Sequence, residues 1–404
     1  MERIVRMCLA TALALSAAAC GVSEFGDFVK DESNGVWVGP SSGGTAVSQS
    51  TTYVTAFDYP EGYDWRRNPE KGSVRCSLVV FADDRPVLKV PVGDVYSVSD
   101  DPDMHRVIDG HLYTDFAADN QTVIKKDGKP FLSFEGRESV EDMIFKGDTL
   151  HLLCHKRGGK GFTYRVNGEP VLERDNGYTF SRLICHEGSV FFAFSEQILS
   201  SEGNKERYYC FKNGSVEQTA LREDVKKVWD VSFHKGAVCC LASLTGIAEP
   251  VLISKTGLQA LPLPYGTNIV SGQVFSAGDA IGVEMILSSE SAISSALWLD
   301  GRLCQSFASG AVVSSIWTGD AGVACVLNPR SVDDRGSVFR MGEIFDIPEE
   351  YSCFGEKSID MADGMLTVGL SSLAGNRPLL WKDGDVDEVD VNGYICTVSS
   401  VVPL

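Results

Sequence analysis

Trp381-Lys382-Asp383-Gly384 is an aromatic strand end running into an Asp-Gly corner. Asp-Gly and Asn-Gly suit two-residue hairpins, because a type I′ turn needs positive φ at both central positions and Gly, Asn and Asp tolerate it best. The corner recurs upstream at Trp298-Leu299-Asp300-Gly301, Phe211-Lys212-Asn213-Gly214, Arg165-Val166-Asn167-Gly168 and Lys125-Lys126-Asp127-Gly128, with weaker copies at Gly342, Gly257 and Asp83-Asp84. Counting from Asp84 through the glycines at 128, 168, 214, 257, 301, 342 and 384 gives steps of 44, 40, 46, 43, 44, 41 and 42. A hairpin repeated at that period predicts a β-propeller in which each repeat is one four-stranded blade.

A second series of turns falls between the first, at Gly110, Gly147, Gly188, Gly236, Gly278, Gly319 and Gly364. Each lies between two short apolar runs, so every repeat reads strand A, turn, strand B, loop, strand C, turn, strand D. Eight C-to-D corners stand against seven A-to-B corners. The missing A strand has a donor in Tyr394 to Val402, which follows the last D strand. Pairing it with the first blade closes the ring and removes the open edge. The expectation is therefore an all-β, eight-bladed propeller over residues 51–404, with seven blades as the alternative.

Composition agrees. Hydrophobic residues make up 44% and charged residues 23%, with 40 glycines available for turns. The formal net charge of −19 repels phosphate backbones and anionic headgroups, which argues against nucleic acid and against direct electrostatic binding to a membrane. Most of the twelve cysteines sit within apolar strand segments, such as Val238-Cys239-Cys240 and Leu152-Leu153-Cys154, where they read as small buried hydrophobes. No metal-ligand spacing, phosphate loop or nucleophile elbow occurs, so no metal and no cofactor are expected.

Residues 1–19 read as a processing signal. Arg3 and Arg6 precede an apolar run from Met7 to Leu15, and Ala17-Ala18-Ala19 stand before Cys20. This arrangement resembles bacterial lipoprotein signal peptides, and the resemblance implies acylation of Cys20. An ordinary secretory signal cut at the same bond is the alternative. Residues 20–50, rich in Gly, Ser, Asp and Glu, read as a flexible tether. The aromatic-Lys-Asp/Asn-Gly corners, closest at Trp381 to Gly384 and Phe211 to Gly214, resemble those of exported Bacteroidetes-type propeller lipoproteins. That resemblance implies an outer-membrane, lipid-anchored, monomeric propeller and transfers no catalytic residue.

Function is expected on the ring face built from B-to-C and D-to-A loops, since the opposite corners are short. The longest B-to-C loop carries Tyr59, Tyr63, Trp65, Arg66 and Arg67, residue types enriched at binding hot spots. A loop folded over its own neighbour as a lid is the competing reading. Tyr178, Trp229 and Tyr265 are expected on the same face. Repetition of Trp298, Trp381, Phe211 and Phe339 at one blade position points to packing. The carboxylates Glu138, Glu141 and Asp142 are read as a solvated acidic loop. Together these features predict a binding or scaffolding module for a protein or glycan. The alternative is a glycan-cleaving hydrolase, which needs two opposed carboxylates.

Overall fold

The computed structural model describes residues 29–31, 36–38, 50–64, 76–92, 105–118, 120–156, 161–175, 177–186, 188–200, 203–213, 215–218, 224–290, 292–319, 322–329, 336–340, 342–353, 357–372, 374 and 377–401, with backbone alone at some strand ends. Cys20, Trp65, Arg66 and Arg67 lie outside the described residues, and so does the side chain of Tyr178.

The strands form eight antiparallel sheets, which settles the count at eight blades. Blade 6 shows the plan. Strands Asn268–Ala277, Ala280–Ser288, Ile293–Leu299 and Arg302–Ser306 pair in chain order from A to D. Gly301 carries φ 72° and Asp300 φ 46°, the left-handed pair that a type I′ corner requires. The ring closes through blade 1. Gly393–Val401 lies beside Thr51–Asp58, with Thr51 opposite Val401 and Asp58 opposite Gly393. Blade 1 is also widened at its outer edge. Val36–Val38 pairs with Arg85–Val92, and Val29–Asp31 pairs with Val36–Val38, so part of the segment read as a tether adds strands to the sheet.

The core is divided among the seams between blades. Each of the eight apolar clusters draws on two neighbouring blades. Successive strand residues point to opposite faces, so a central strand must be apolar on both. Cys240 and Ala242 enter the seam with blade 4, whereas Cys239 and Leu241 enter the seam with blade 6. The adjacent cysteines thus face apart, and ten described cysteines are free thiols. Trp298, Trp381, Phe211 and Phe339 are all buried, each in the seam with the preceding blade.

Arg165 takes that aromatic position in blade 3. It is buried, its guanidinium meets Glu138 at 2.9 and 3.1 Å, and it lies 4.3 Å from the Phe134 ring centroid. Glu138 also accepts the Thr163 hydroxyl at 2.8 Å. Glu138 and Asp142 therefore stand buried within Glu138–Lys146 instead of in a solvated loop, because each has a cation to pair with.

Candidate functional site

Innermost strands of neighbouring blades approach one another around the ring, as with Val225–His234 beside Asn268–Ala277 and Ile359–Ala362 beside Gly393–Val401. They line the central channel. Two of them are interrupted. In blade 4, strand A is split into Gly177–Phe180 and Ile184–His186, and in blade 8 into Tyr351–Ser352 and Ile359–Ala362. Blades 4 and 8 are four steps apart in a ring of eight, so they oppose each other across the axis. Each interruption carries a cation: Arg182 in blade 4 and Lys357 in blade 8.

The backbone at both breaks is satisfied without the regular ladder. Ser181 donates its N–H to the Ala193 carbonyl and accepts the Ala193 N–H on Oγ, both at 2.8 Å. The Lys357 carbonyl accepts the Val398 N–H at 2.8 Å, the Ser358 carbonyl accepts the Gly369 N–H at 2.7 Å, and Ser358 Oγ donates to the Cys396 carbonyl at 3.2 Å. These bonds hold the breaks in place, as buried backbone groups demand partners.

Lys357 lies within electrostatic reach of charges on blades 2, 3 and 4. Burial pushes its ammonium down to about 8, the Arg106 and Arg182 guanidinium groups push the same way, and Asp142 and Glu141 oppose them. Arg106 is tied down: it pairs with Asp142 Oδ1 and donates to the Met143 carbonyl at 3.0 Å. Asp142 Oδ2 accepts the Leu183 N–H at 2.6 Å. One carboxylate thus joins blades 2, 3 and 4 on the inner wall. Lys357 and Arg182 have no side-chain hydrogen bond or ion pair among the described residues.

Bulges set the height of this belt. The A strand of blade 3 slips register between Val140 and Asp142, and that of blade 5 between Val228 and Asp230. A bulge re-aims the side chains around it. Asp230 accepts the Val274 N–H at 2.7 Å; burial nevertheless pushes its carboxyl up to about 7, against the backbone bonds and the Arg182 charge. Asp360 in blade 8 accepts the Ser400 N–H of blade 1 in the same manner.

The residues expected to form a loop-face site are spread out. Tyr59 is buried, with ring centroids of Phe57, Tyr63 and Tyr394 at 6.2, 5.4 and 6.5 Å, and its N–H donates to the Asn392 carbonyl at 2.9 Å. Tyr63 is half-buried against it, so the base of this loop packs onto blade 1. Trp229, at the blade 5 bulge, is half-buried with the Lys227 ammonium 3.3 Å from its ring centroid. Tyr265 is fully exposed between blades 5 and 6.

The sequence reading passed over Arg106, Arg182 and Lys357. Measured back from the A-to-B glycines at 110, 188 and 364, the three cations fall four, six and seven residues earlier, so they share no repeat position; Arg106 lies in a strand and the other two at strand breaks.

No protein-family model matches the chain, and no curated protein sequence does. Among solved structures it is similar to dihydro-heme d1 dehydrogenase NirN in complex with DHE, at 9% identity and TM-score 0.50, covering 93% of this chain and 80% of that one. It is also similar to the β-propeller domain of the Trilobed protease from Pyrococcus furiosus, at 11% identity and TM-score 0.44, covering 75% and 96%. Apo AztD from Citrobacter koseri matches at 11% identity and TM-score 0.37, covering 88% and 98%. At these identities the likeness concerns the fold alone.

Proposed function

We propose that this propeller is a binding or scaffolding module of the cell envelope, anchored to the outer membrane through acylated Cys20, and that it recognises a protein or glycan at the face built from B-to-C and D-to-A loops. One observation carries the choice of binding over cleavage. The channel carboxylates Asp142, Asp230 and Asp360 each accept a backbone N–H from the following blade, so they serve as seams of the ring. Tyr265, fully exposed on the loop face, supplies the kind of rigid amphipathic surface that contacts favour.

The alternative is glycan cleavage. Asp230 favours it, since a carboxyl held near 7 can deliver a proton at neutral pH. Two measurements separate the readings. A photo-cross-linking residue at Tyr265 in the living host should capture a partner that the same residue at Leu303, on an outer strand, does not. Purified residues 21–404 should release no reducing ends from envelope glycans. Sugar release abolished by Asp230→Asn would establish the hydrolase instead. The anchor is tested separately: Cys20→Ala should move the protein from the membrane to the soluble fraction.

A further inference from the structure

We infer that the middle of the central channel is an oxyanion site, in which Lys357 of blade 8 and Arg182 of blade 4 hold a carboxylate- or phosphate-bearing small molecule between them, with Arg106 of blade 2 reinforcing the field. The inference goes beyond recognition at the loop face and stands whether or not that face has a partner.

Three observations converge on it. The first is placement: the two interrupted inner strands belong to opposed blades, and each puts a cation at its break. Interrupting a strand forfeits ladder hydrogen bonds, and here the side chains of Ser181 and Ser358 take over part of the bonding on the two sides. The second is the balance of charge. In a chain of net charge −19, this belt gathers Arg106, Arg182 and Lys357 beside Glu141, Asp142, Asp230 and Asp360, and the last three each spend an oxygen on a backbone N–H of the next blade. Asp142 is engaged on both oxygens, by Arg106 on one and the Leu183 N–H on the other. Asp230, the other acid near Arg182, carries its proton up to about pH 7. The third is the absence of ion-pair partners for Lys357 and Arg182 among the described residues. A partly desolvated ammonium beside two guanidinium groups is unfavourable until an anion enters.

Geometry also selects the ligand. A guanidinium presents a planar fork that fits two oxygens of a carboxylate or phosphate, whereas an ammonium acts as a point charge. Opposed cations favour a ligand with oxygens on two sides, such as a di- or tricarboxylate or a phosphate. Lys357 is half-buried, so a charge-assisted bond to its ammonium is stronger than one on the open surface, whereas Arg182 is solvent-exposed.

The test uses purified residues 21–404 and calorimetric titration with citrate, succinate, inorganic phosphate and glucose in a buffer free of multivalent anions. Saturable binding of at least one anion and none of glucose is expected, and the carboxylate and phosphate arms decide which oxyanion is preferred. Lys357→Met and Arg182→Gln should each weaken binding about tenfold or more, the loss expected for one bond to a charged group. Lys235→Gln removes a cation that pairs with Asp279 at a corner and should leave affinity unchanged. Melting curves of every variant confirm folding. Should Lys357→Met misfold, Lys357→Arg should fold and retain binding. Failure of all three anions to bind the wild-type chain at millimolar concentration would overturn the inference, as would equal affinity in a folded Lys357→Met protein.

Discussion

Asn167 grips Leu150 twice: its N–H donates to the Leu150 carbonyl at 2.8 Å, and its Oδ1 accepts the Leu150 N–H at 2.9 Å. The same double bond joins Asp83 to Thr52, Asp127 to Leu112, Asn213 to Val190, Asp300 to Ile281 and Asp383 to Leu366. The corner residue is therefore fixed by two demands, a tolerated positive φ and a short side chain with an acceptor oxygen. Gly meets the first demand and fails the second.

Asn167→Ala fails both, since Ala at φ 50° is strained and offers no acceptor. The expected loss is about 1–3 kcal/mol. Asn167→Asp keeps the acceptor and should be close to neutral. Urea unfolding midpoints of the two variants, compared with wild type, check the difference.

Arg165 shows what happens when the repeat abandons its aromatic. Arg165→Ala leaves Glu138 charged in a closed seam, and breaking one side of a buried pair costs about 3–5 kcal/mol. The double variant Glu138→Leu with Arg165→Phe restores the apolar position found in blades 4 and 7. It should recover most of that loss. A double variant as unstable as Arg165→Ala alone would show that the guanidinium bonds to Gly168 and Glu135 matter more than the pair.

Ring closure gives a sharper test. Ending the chain after Asn392 deletes the strand Gly393–Val401 and exposes the full edge of Thr51–Asp58 together with the seam residues Val54, Ala56 and Leu380. The truncated protein should lose cooperative thermal unfolding and aggregate, because an open apolar edge invites pairing with another copy. Adding a synthetic peptide of residues 393–401 should restore part of the transition.

The corners were legible because a type I′ turn writes itself into two adjacent residues, Asp383-Gly384 or Asn167-Gly168. Closure was legible because a lone ninth-unit strand, Tyr394 onward, had nowhere else to pair. Short strands in the 20–50 segment were not, since Val36-Trp37-Val38 is too brief to stand out from its Gly- and Ser-rich surroundings. Arg182 and Lys357 were passed over for a different reason. Their meaning depends on blades 4 and 8 facing each other, a relation that no local pattern encodes. Glu138 and Asp142 looked like a solvated run because their partners, Arg165 and Arg106, lie 27 and 36 residues away.

The pH dependence of stability follows from buried charge. Glu284 is buried in blade 6 with Oε1 unbonded, and burial pushes its carboxyl from 4.5 up to about 7, while Ser295 and Gln273 bonds oppose. Asp230 moves from 3.8 to about 7. A raised carboxyl favours the protonated fold, so its contribution is complete below about pH 4 and disappears as pH climbs through about 7. For Glu284 that loss is on the order of 3 kcal/mol. Lys357 acts in the opposite sense. Its pKa falls from 10.5 to about 8, so the fold sheds a costly charge before the unfolded chain does, and stability recovers between about pH 8 and 10. The unfolding free energy should therefore pass through a minimum near pH 8 in anion-free buffer. Glu284→Gln should remove about half of the limb from pH 5 to 8, Asp230 supplying the rest, and leave the alkaline limb intact. Lys357→Met should do the reverse, and citrate, by holding the ammonium charged, should erase the alkaline limb in the wild-type protein alone. Urea midpoints taken from pH 5 to 10 read both limbs, and a flat profile would show that solvent reaches these groups.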